Sequence, residues 1–361
     1  MNHMKKQVKQ EKELRRIKAE LEDAQRPIFF FDDDPDGVSS FAQFYKAKKA
    51  GRGVIIKSSP QLKSVYLRKV HEFGADKVFV LDKPLISQNF IERLEVPLVW
   101  VDHHDSQKEW LSQFNRKDIL YYNPRDSFGH NLPVSDVAYR IFKKNLWLAM
   151  VGAIGDWTIP DFASEFSEKY PDLLNAKITE PSAALFGTEL GRLIKIISFM
   201  LKGNTKSINS AIKVLLRIES PYEILHQTTS QGNFIYQKFT KIEDLYNHHL
   251  EEAKEKAEDK VLFYFYEGNK FSFTKELSNE LLYLFPDKLI LVGRASRGLY
   301  RMSIRASKVN LPPILLEALQ GLSGNGGGHE HACGCHIKED ELELFLDRLR
   351  YLYLKALGSS E

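Results

Sequence analysis

The sequence predicts an α/β protein: an N-terminal domain with a parallel sheet, a helical connector, and a smaller C-terminal α/β domain with a mixed sheet. Three observations support this prediction. Short apolar runs alternate with helical stretches between residues 27 and 122, the segment 138–257 has a helical pattern, and strand-like runs return beyond Lys260. Strands that alternate with helices are typical of βαβ units, whose parallel sheet is buried on both faces.

The chain begins with a charged helical segment, residues 5–25, whose thin apolar stripe is formed by Leu14, Ile17 and Leu21. A helix of this kind usually lies on the surface, with its apolar stripe against the rest of the protein. We therefore expect it to be exposed or packed at an edge of the fold. A contact in a dimer is the alternative.

The runs that predict the parallel sheet are PIFFF at 27–31, VIIK at 54–57, KVFVL at 77–81, PLVWV at 97–101 and ILYY at 119–122. In the C-terminal part, strands are predicted at 261–266, 271–273, 289–293 and 299–306, and helices at 312–320 and 339–356. We therefore divide the chain into an N-terminal helix at 1–25, a parallel-sheet domain at 26–190, a helical connector at 191–257 and a C-terminal domain at 258–361.

The composition is that of an ordinary globular protein, with 43% hydrophobic and 27% charged residues. No apolar run is long enough to predict a membrane span, and the charged N-terminal segment does not resemble a secretory signal. The only cysteines are Cys333 and Cys335, so we expect a reducing, cytoplasmic location. The net charge of +3 is compatible with a polyanionic ligand but does not require one.

Acidic residues directly follow three of the predicted parallel strands. FFFDDDPDG places Asp32, Asp34 and Asp36 after the first strand, Asp82 ends KVFVLD, and Asp102 follows PLVWV. Carboxyl ends of parallel strands gather at one sheet edge, where α/β proteins bind ligands. Carboxylates at this density repel one another, and Mg²⁺ or Mn²⁺ would neutralise them. The alternative, a helix N-cap, explains one or two aspartates but not the whole cluster.

Two more motifs add groups that bind metals or transfer protons. VDHHD at 101–105 offers His103 as a metal ligand and His104 for a phosphate oxygen or a leaving group. GAIGDW at 152–157 places Asp156 in an apolar helical stretch, where a buried carboxylate needs a partner such as a cation. The alternative for Asp156 is the N-cap of a following helix.

The segment GLSGNGGGHEHACGCH at 321–336 is rich in glycine and histidine. Three successive glycines let backbone N–H groups approach a phosphate closely. A plain glycine-rich hairpin is one alternative. The other is a zinc site formed by His331, Cys333, Cys335 and His336, although these residues are spaced too closely for the usual structural zinc loops.

In their order and setting, DDDPDG, Asp82, DHH and GAIGDW resemble the four motifs of the DHH phosphoesterase superfamily. GGGHEHACG at 326–334 is similar to the GGGHxxAxG signature of the DHH-associated C-terminal domain of RecJ-like nucleases and nanoRNases. Arg305 lies where such domains carry an arginine on a strand. The resemblance spans roughly residues 26–357 and makes 26–190 the catalytic domain and 258–361 the substrate-binding domain.

The resemblance implies a centre of two divalent ions, preferably Mn²⁺, with Mg²⁺ as the alternative. One ion would be held by Asp32 and Asp34, the other by Asp36, His103 and Asp156, and Asp82 would bridge them. Two such ions lower the pKa of a bridging water and stabilise charge on the phosphate. Many family members have His where this chain has Asp32, a difference that keeps an oxygen ligand and leaves the choice between Mn²⁺ and Mg²⁺ open.

The resemblance also implies roles for residues that do not bind the ions. His104 would contact a phosphoryl oxygen or protonate the leaving group, and Asp102 would orient a ligand histidine. The C-terminal domain would hold phosphates of the substrate through five residues: Arg305, Gly326, Gly327, Gly328 and His329.

The function implied by these residues is that of an exonuclease on single-stranded DNA or RNA, which hydrolyses terminal phosphodiester bonds. The alternative is a nanoRNase or cyclic-dinucleotide phosphodiesterase on substrates of two to five nucleotides, and a second alternative is a non-catalytic scaffold in replication or repair. The size of the 160–257 region and nearby basic stretches favour the longer substrate. No membrane partner is expected. The sequence leaves open the cleavage polarity, a homo-oligomer and a replication or repair partner.

Overall fold

The computed structural model describes residues 2–57, 59–129, 131–268 and 270–358. The chain divides into two compact units, Met1–Phe239 and Thr240–Glu361. The boundary falls within a helix that covers Ser230–Glu255. Most of the predicted connector, residues 191–239, therefore groups with the first unit.

The strands and helices follow the predicted α/β order. The strands of the first unit are β1 Pro27–Asp32, β2 Arg52–Ile56, β3 Gln61–Leu62, β4 Lys77–Leu81, β5 Leu85–Ile86, β6 Leu98–Val101 and β7 Ile119–Tyr122. Its α-helices are α1 Asn2–Asp23, α2 Pro35–Lys48, α3 Leu67–Phe73, α4 Gln88–Arg93, α5 Lys108–Leu111, α6 Pro124–Phe128, α7 Val134–Phe142, α8 Leu146–Gly155, α9 Ala163–Lys169, α10 Pro181–Gly187, α11 Glu189–Met200, α12 Thr205–Leu215 and α13 Pro221–Leu225, and α14 Ser230–Glu255 crosses the boundary. The second unit contains β8 Val261–Glu267, α15 Thr274–Leu284, β9 Leu289–Ser296, β10 Leu299–Arg305, α16 Leu311–Ala318, β11 Asn325–His329, β12 Ala332–Lys338 and α17 Leu342–Gly358.

The five predicted strands of the first unit form one sheet in the order β2-β1-β4-β6-β7. Every neighbouring pair in this sheet is parallel, which confirms the prediction. The order places β1, β4 and β6 side by side in the middle. Because parallel strands end at the same edge, the residues that follow these three strands are brought together.

Aromatic residues bury β1 on both faces. Phe31 stacks on Phe41 of α2, with ring centroids 4.3 Å apart, and Phe29 also packs against Phe41. On the opposite face, Phe30 makes an edge contact with Phe90 of α4. All of these rings are almost fully buried. The packing fixes β1 rigidly, so the acidic residues at its end have a defined position.

The N-terminal helix α1 packs on the first unit through its apolar stripe. Leu14, Ile17 and Leu21 are buried, while most of the intervening charged residues are exposed. The helix contacts α7, α6 and α2. The expectation of an edge-packed helix is therefore confirmed.

The sheet of the second unit is mixed, as predicted, with the order β11-β12-β10-β9-β8. The pair β8–β9 is parallel, and the other pairs are antiparallel. Helices α16 and α17 cover one face through a core that includes Ile304, Phe345 and Leu349. The predicted strand at 271–273 is wrong: Phe273 lies at the start of α15 and packs its buried ring against Tyr246.

The glycine-rich segment forms the hairpin β11–β12, and β11 is the edge strand of the sheet. The hairpin that the sequence offered as one alternative for this segment is therefore present. In the described segments, no helix is long and apolar enough to cross a membrane.

Replacing Ile17 with Ala should lower the free energy of unfolding by about 2–4 kcal/mol, because a fully buried side chain would leave a cavity. Lys12→Ala, on the exposed side of the same helix, is the control and should change stability by less than about 0.5 kcal/mol. Urea denaturation measures both variants. Equally small changes would show that α1 does not contribute to the folded core.

Candidate metal centre

The carboxyl ends of β1, β4 and β6 bring the predicted acidic residues together. Asp32 is the last residue of β1, Asp82 follows β4, and Asp102 follows β6. Ligand atoms of Asp32, Asp34 and Asp82 lie within 4.8 Å of one another, and so do those of Asp82, His103 and His104. Asp82 belongs to both groups and occupies the centre of the cluster.

The first motif turns directly from β1 into α2. Asp34 is the N-cap of α2, and its Oδ1 accepts a hydrogen bond from Gly37 N at 3.0 Å. A Cβ at position 37 would lie 2.7 Å from the backbone of Asp32, so this turn requires glycine. The helix-capping alternative therefore holds for Asp34, but it does not account for the other acidic residues.

Asp36 is buried at the start of α2. Its two carboxylate oxygens accept hydrogen bonds from Val134 N at 2.8 Å and Ser135 N at 2.9 Å, at the start of α7. A Cβ at Gly152 would lie 3.1 Å from Asp36 Oδ1, so α8 approaches the carboxylate closely. These contacts fix Asp36 in position, although it lies outside the two ligand groups defined above.

Asp82 has an unusual backbone conformation for a residue other than glycine. Its φ of 56° lies in the left-handed region, which Asp tolerates better than most residues. The side chain is 3% exposed, and its Oδ1 lies 3.2 Å from His103 Nε2. Strained backbone positions of this kind cost roughly 1–3 kcal/mol and are concentrated at functional sites.

The two histidines after β6 have different surroundings. His103 is buried, and its Nδ1 lies 2.9 Å from Asn131 Oδ1. His104 is 41% exposed, and its Nδ1 lies 2.8 Å from Asp102 Oδ1. Asp102 therefore orients His104 and not the expected ligand histidine, because the side chain of His103 points towards Asp82 and Asn131.

The loop that carries the histidines is held by residues at the start of α6. Asn123 Nδ2 donates a hydrogen bond to the backbone oxygen of His104 at 2.8 Å. Arg125 Nε donates to the backbone oxygen of His103, also at 2.8 Å. Neither residue was predicted, because these are contacts to the backbone and have no sequence signature.

Asp156 follows α8 and reaches the same cluster from the helical side. It is the C-cap of α8, and its Oδ2 lies 3.6 Å from His103 Nδ1. The side chain is 30% exposed, so the expectation of a deeply buried carboxylate is wrong. The reason is that α8 ends one residue earlier, at Gly155, and the chain turns towards the surface.

Burial and mutual repulsion change the pKa values of the carboxylates. Burial raises the pKa of Asp32 to about 6, and the negative charge of Asp34 adds to this effect. Burial also raises the pKa of Asp36. It raises the pKa of Asp82 well above the ordinary value, and the charges of Asp36 and Asp34 contribute further. Without a cation, this cluster therefore favours bound protons.

The pKa of His103 is raised as well, which for a histidine favours the charged form. Burial alone lowers its pKa, but the hydrogen bond and charge of Asp82, with further charges from Asp156 and Asp36, raise the pKa to about 11. A protonated His103 thus offsets part of the negative charge. A metal ligand must be deprotonated, so a bound cation would displace this proton.

Lys83, next to Asp82 in the sequence, was not predicted to belong to the site. Its side chain is 1% exposed, and its Nζ donates hydrogen bonds to Asp32 Oδ1 at 2.8 Å and to Ser59 O at 2.6 Å. Buried lysines are rare unless they are paired. The sequence feature that could have indicated this role is the position of Lys83 directly after Asp82, at the sheet edge where the other carboxylates lie.

The donor set fits divalent metal ions. Carboxylate oxygens with one or two imidazoles are ligands that suit Mn²⁺, and oxygen ligands suit Mg²⁺. The two groups share Asp82, which is the arrangement needed if a carboxylate bridges two ions. Within the described residues, Lys83 and a protonated His103 are the basic groups that contact these carboxylates directly.

The C-terminal motif provides a different kind of site in the second unit. Arg305 ends β10, and its Nε donates a hydrogen bond to Asn279 Oδ1 at 2.7 Å. Burial lowers the pKa of its guanidinium to about 10, and no ion pair of Arg305 occurs within the described segments. Arg305 pairs with Ala332, which pairs with His329, so all three side chains lie on one face.

The three glycines of β11 have different structural roles. A Cβ at Gly326 would lie 2.5 Å from Cys335 Cβ, and one at Gly328 would lie 2.3 Å from Ala332 O. The fold therefore requires glycine at both positions. A Cβ at Gly327 would have no atom within 4 Å, so the fold does not require glycine there.

Comparisons with known proteins agree with this architecture. Residues 250–354 match the family model described as the DHHA1 domain. A sequence comparison with curated proteins finds no match. The structure is similar to RecJ from Thermus thermophilus in complex with Mn²⁺, with a TM-score of 0.62 and 15% identity over 95% of this chain and 55% of that chain. This chain thus spans about half the length of that RecJ.

Two further solved structures resemble nearly the whole chain. Exonuclease RecJ bound to manganese has a TM-score of 0.54 and 15% identity, with 94% of each chain covered. The DHH domain of a member of the s1p family of ribosomal proteins has a TM-score of 0.58 and 15% identity, with 92% of this chain and 87% of that chain covered. At these identities the similarity shows a common fold.

Replacing Asp34 with Asn should stabilise the metal-free protein and weaken its metal binding. The amide keeps an oxygen for the N-cap of α2 and removes a charge that raises the pKa values of Asp32, Asp36 and Asp82. We expect a higher Tm than the parent in chelator, and a smaller increase in Tm on addition of Mn²⁺. Thermal unfolding in both conditions measures this.

The control for this prediction is Asp105→Asn, which removes the charge of an exposed aspartate next to His104. It should leave the Tm in chelator and the shift with Mn²⁺ unchanged. If Asp34→Asn shows the full Mn²⁺ shift of the parent, Asp34 is not a metal ligand.

Proposed function

We propose that this RecJ-like chain of the DHH superfamily, which carries a DHHA1 domain, is a Mn²⁺-dependent phosphodiesterase that removes nucleotides from an end of single-stranded DNA or RNA. The observation that supports this most directly is the position of Asp82. It is buried, strained and shared by two sets of ligand atoms. A carboxylate in such surroundings is costly without cations, and two ions would balance it.

Two divalent ions, when bound, would activate water as a nucleophile and neutralise charge on the phosphate. We propose that Asp32 and Asp34 hold one ion, that Asp36, His103 and Asp156 hold the other, and that Asp82 contacts both. Hydrogen bonds from Val134 and Ser135 orient Asp36 before any ion binds, so little reorganisation is needed.

His104 is suited to a role towards the substrate. Its Nδ1 is held by Asp102, so Nε2 of the half-exposed ring is directed away from the carboxylate. A histidine paired in this way with a buried aspartate keeps one tautomer and one orientation. We propose that Nε2 donates a hydrogen bond to a phosphoryl oxygen, or a proton to the leaving group.

In the second unit, Arg305 has the features of an anion-binding residue. Its guanidinium is largely buried and donates hydrogen bonds to Asn279 Oδ1 and to the backbone oxygens of Ile304 and Cys333. It has no carboxylate partner in the described chain, so an anion would balance its charge. His329 lies on the same face, and the backbone of Gly327 is not covered by a side chain. We propose that these residues, with Gly326 and Gly328, bind a phosphate of the substrate.

Incubation with Mn²⁺ and end-labelled single strands should release nucleotides from one end, and chelator should stop the reaction. Asp82→Ala should reduce kcat/KM by at least about a thousandfold, because both ions lose a ligand. His104→Gln should lower kcat but keep the Mn²⁺-induced increase in Tm. Asp105→Ala, an exposed aspartate, is the control and should retain activity.

Undiminished turnover in Asp82→Ala, or cleavage by metal-free protein, would contradict the two-ion centre. If His104→Gln also loses the Mn²⁺ shift, His104 is a metal ligand rather than a residue that contacts substrate. A parent protein that binds Mn²⁺ and oligonucleotides but cleaves neither DNA nor RNA would favour a scaffold.

Arg305→Gln should raise KM for a short strand by roughly 10- to 100-fold with little change in kcat, because a hydrogen bond to a charged group is worth about 1.5–3 kcal/mol. Steady-state kinetics with a trinucleotide measure this. The control is Arg348→Gln on α17, the helix that packs on the opposite face of the sheet. Equal KM values for Arg305→Gln and the parent would exclude phosphate binding by Arg305.

A further inference from the structure

A second group of basic side chains lies on the sheet of the DHHA1 domain, on the same face as Arg305. Arg301 on β10 lies directly opposite Arg294 on β9 and His336 on β12. Directly paired residues of neighbouring strands point to the same side, with Cβ atoms about 4.5–5.5 Å apart. Arg301 is exposed, and Arg294 and His336 are partly exposed. These three side chains therefore form one accessible basic cluster.

The fold alone does not account for this cluster. Like charges directly opposite each other on neighbouring strands are destabilising. In the segments that the structure describes, the guanidinium groups of Arg294 and Arg301 make neither an ion pair nor a hydrogen bond. An anion that binds between them would relieve the repulsion.

A strip of bare backbone separates this cluster from Arg305. Ser303 lies between Arg301 and Arg305 on β10, and it pairs with Gly334, which pairs with Gly327. A Cβ at Gly327 would have no neighbour within 4 Å, and one at Gly334 would have its nearest neighbour at 3.7 Å. Side chains would fit at both positions, so the strip leaves room for a ligand that lies flat on the sheet.

We propose that Arg294, Arg301 and His336 form a second phosphate site, and that the bare strip receives the part of the strand that lies between the two sites. This inference rests on the proposed function. Arg301 and Arg305 are four residues apart on one strand, which corresponds to about 13 Å at about 3.4 Å per residue. That distance exceeds the spacing of adjacent phosphates, so the two sites bind non-adjacent phosphates. A strand therefore needs at least three successive phosphates to occupy both.

Binding of labelled oligonucleotides, measured by fluorescence anisotropy in chelator to prevent cleavage, tests this proposal. Arg301→Gln should weaken binding of a pentanucleotide about tenfold and leave binding of a dinucleotide unchanged. Arg294→Gln should behave in the same way, whereas Arg305→Gln should weaken binding of both. The salt dependence of pentanucleotide binding should fall by about 0.7 in log–log slope for each phosphate contact that is lost.

Arg348→Gln is the matched control, because it removes one arginine from the helix on the opposite face and should change neither affinity. The proposal is wrong if Arg301→Gln binds the pentanucleotide like the parent, or if it loses affinity equally for the dinucleotide. Hydrolysis by the parent reports separately on the proposed function. If the unmutated protein does not hydrolyse the strand but Arg301→Gln still weakens binding of the pentanucleotide alone, only the proposed enzymatic function is wrong. If the unmutated protein hydrolyses the strand but Arg301→Gln binds the pentanucleotide normally, only the second phosphate site is wrong.

Discussion

Repulsion among buried carboxylates is the constraint around which the first unit is built. The order of the parallel strands places Asp32, Asp82 and Asp102 at one edge, and the turn after β1 adds Asp34 and Asp36. Charges a few ångströms apart interact strongly where water is excluded. Burial, with the charges of neighbouring carboxylates added to it, raises the pKa values of Asp32, Asp36 and Asp82. The rigid aromatic packing around β1 is what holds the groups together despite their repulsion.

The protein offsets this repulsion differently on the two sides of Asp82. On the side of Asp32, the buried ammonium of Lys83 makes a direct ion pair. On the other side, the compensation comes from His103, whose Nε2 can hold a proton or bind a cation but cannot do both. The two halves of the cluster therefore differ: one is balanced by the ion pair of Lys83, and the other holds a proton on His103 that a bound cation would displace.

Much of the fold and the site could be predicted from local sequence patterns. Short apolar runs mark the buried parallel strands, and the residues that follow such strands lie at one edge of the sheet. The sequence therefore predicted that Asp32, Asp82 and His103 lie close together. Side-chain pairing has no such local signal. The partner of Asp102 and the role of Lys83 depend on which way side chains turn in three dimensions. In the second unit, the placement of Arg301 opposite Arg294 and His336 required the register of the sheet.

The proposed placement of Asp82 between two divalent ions is tested most directly by crystals of the protein grown with Mn²⁺ and measured at the manganese absorption edge. We expect two anomalous peaks in the first unit, both within coordination distance of Asp82, with Asp32 and Asp34 at one and His103 at the other. A single peak that does not contact Asp82, or no peak at saturating Mn²⁺, would contradict the two-ion centre.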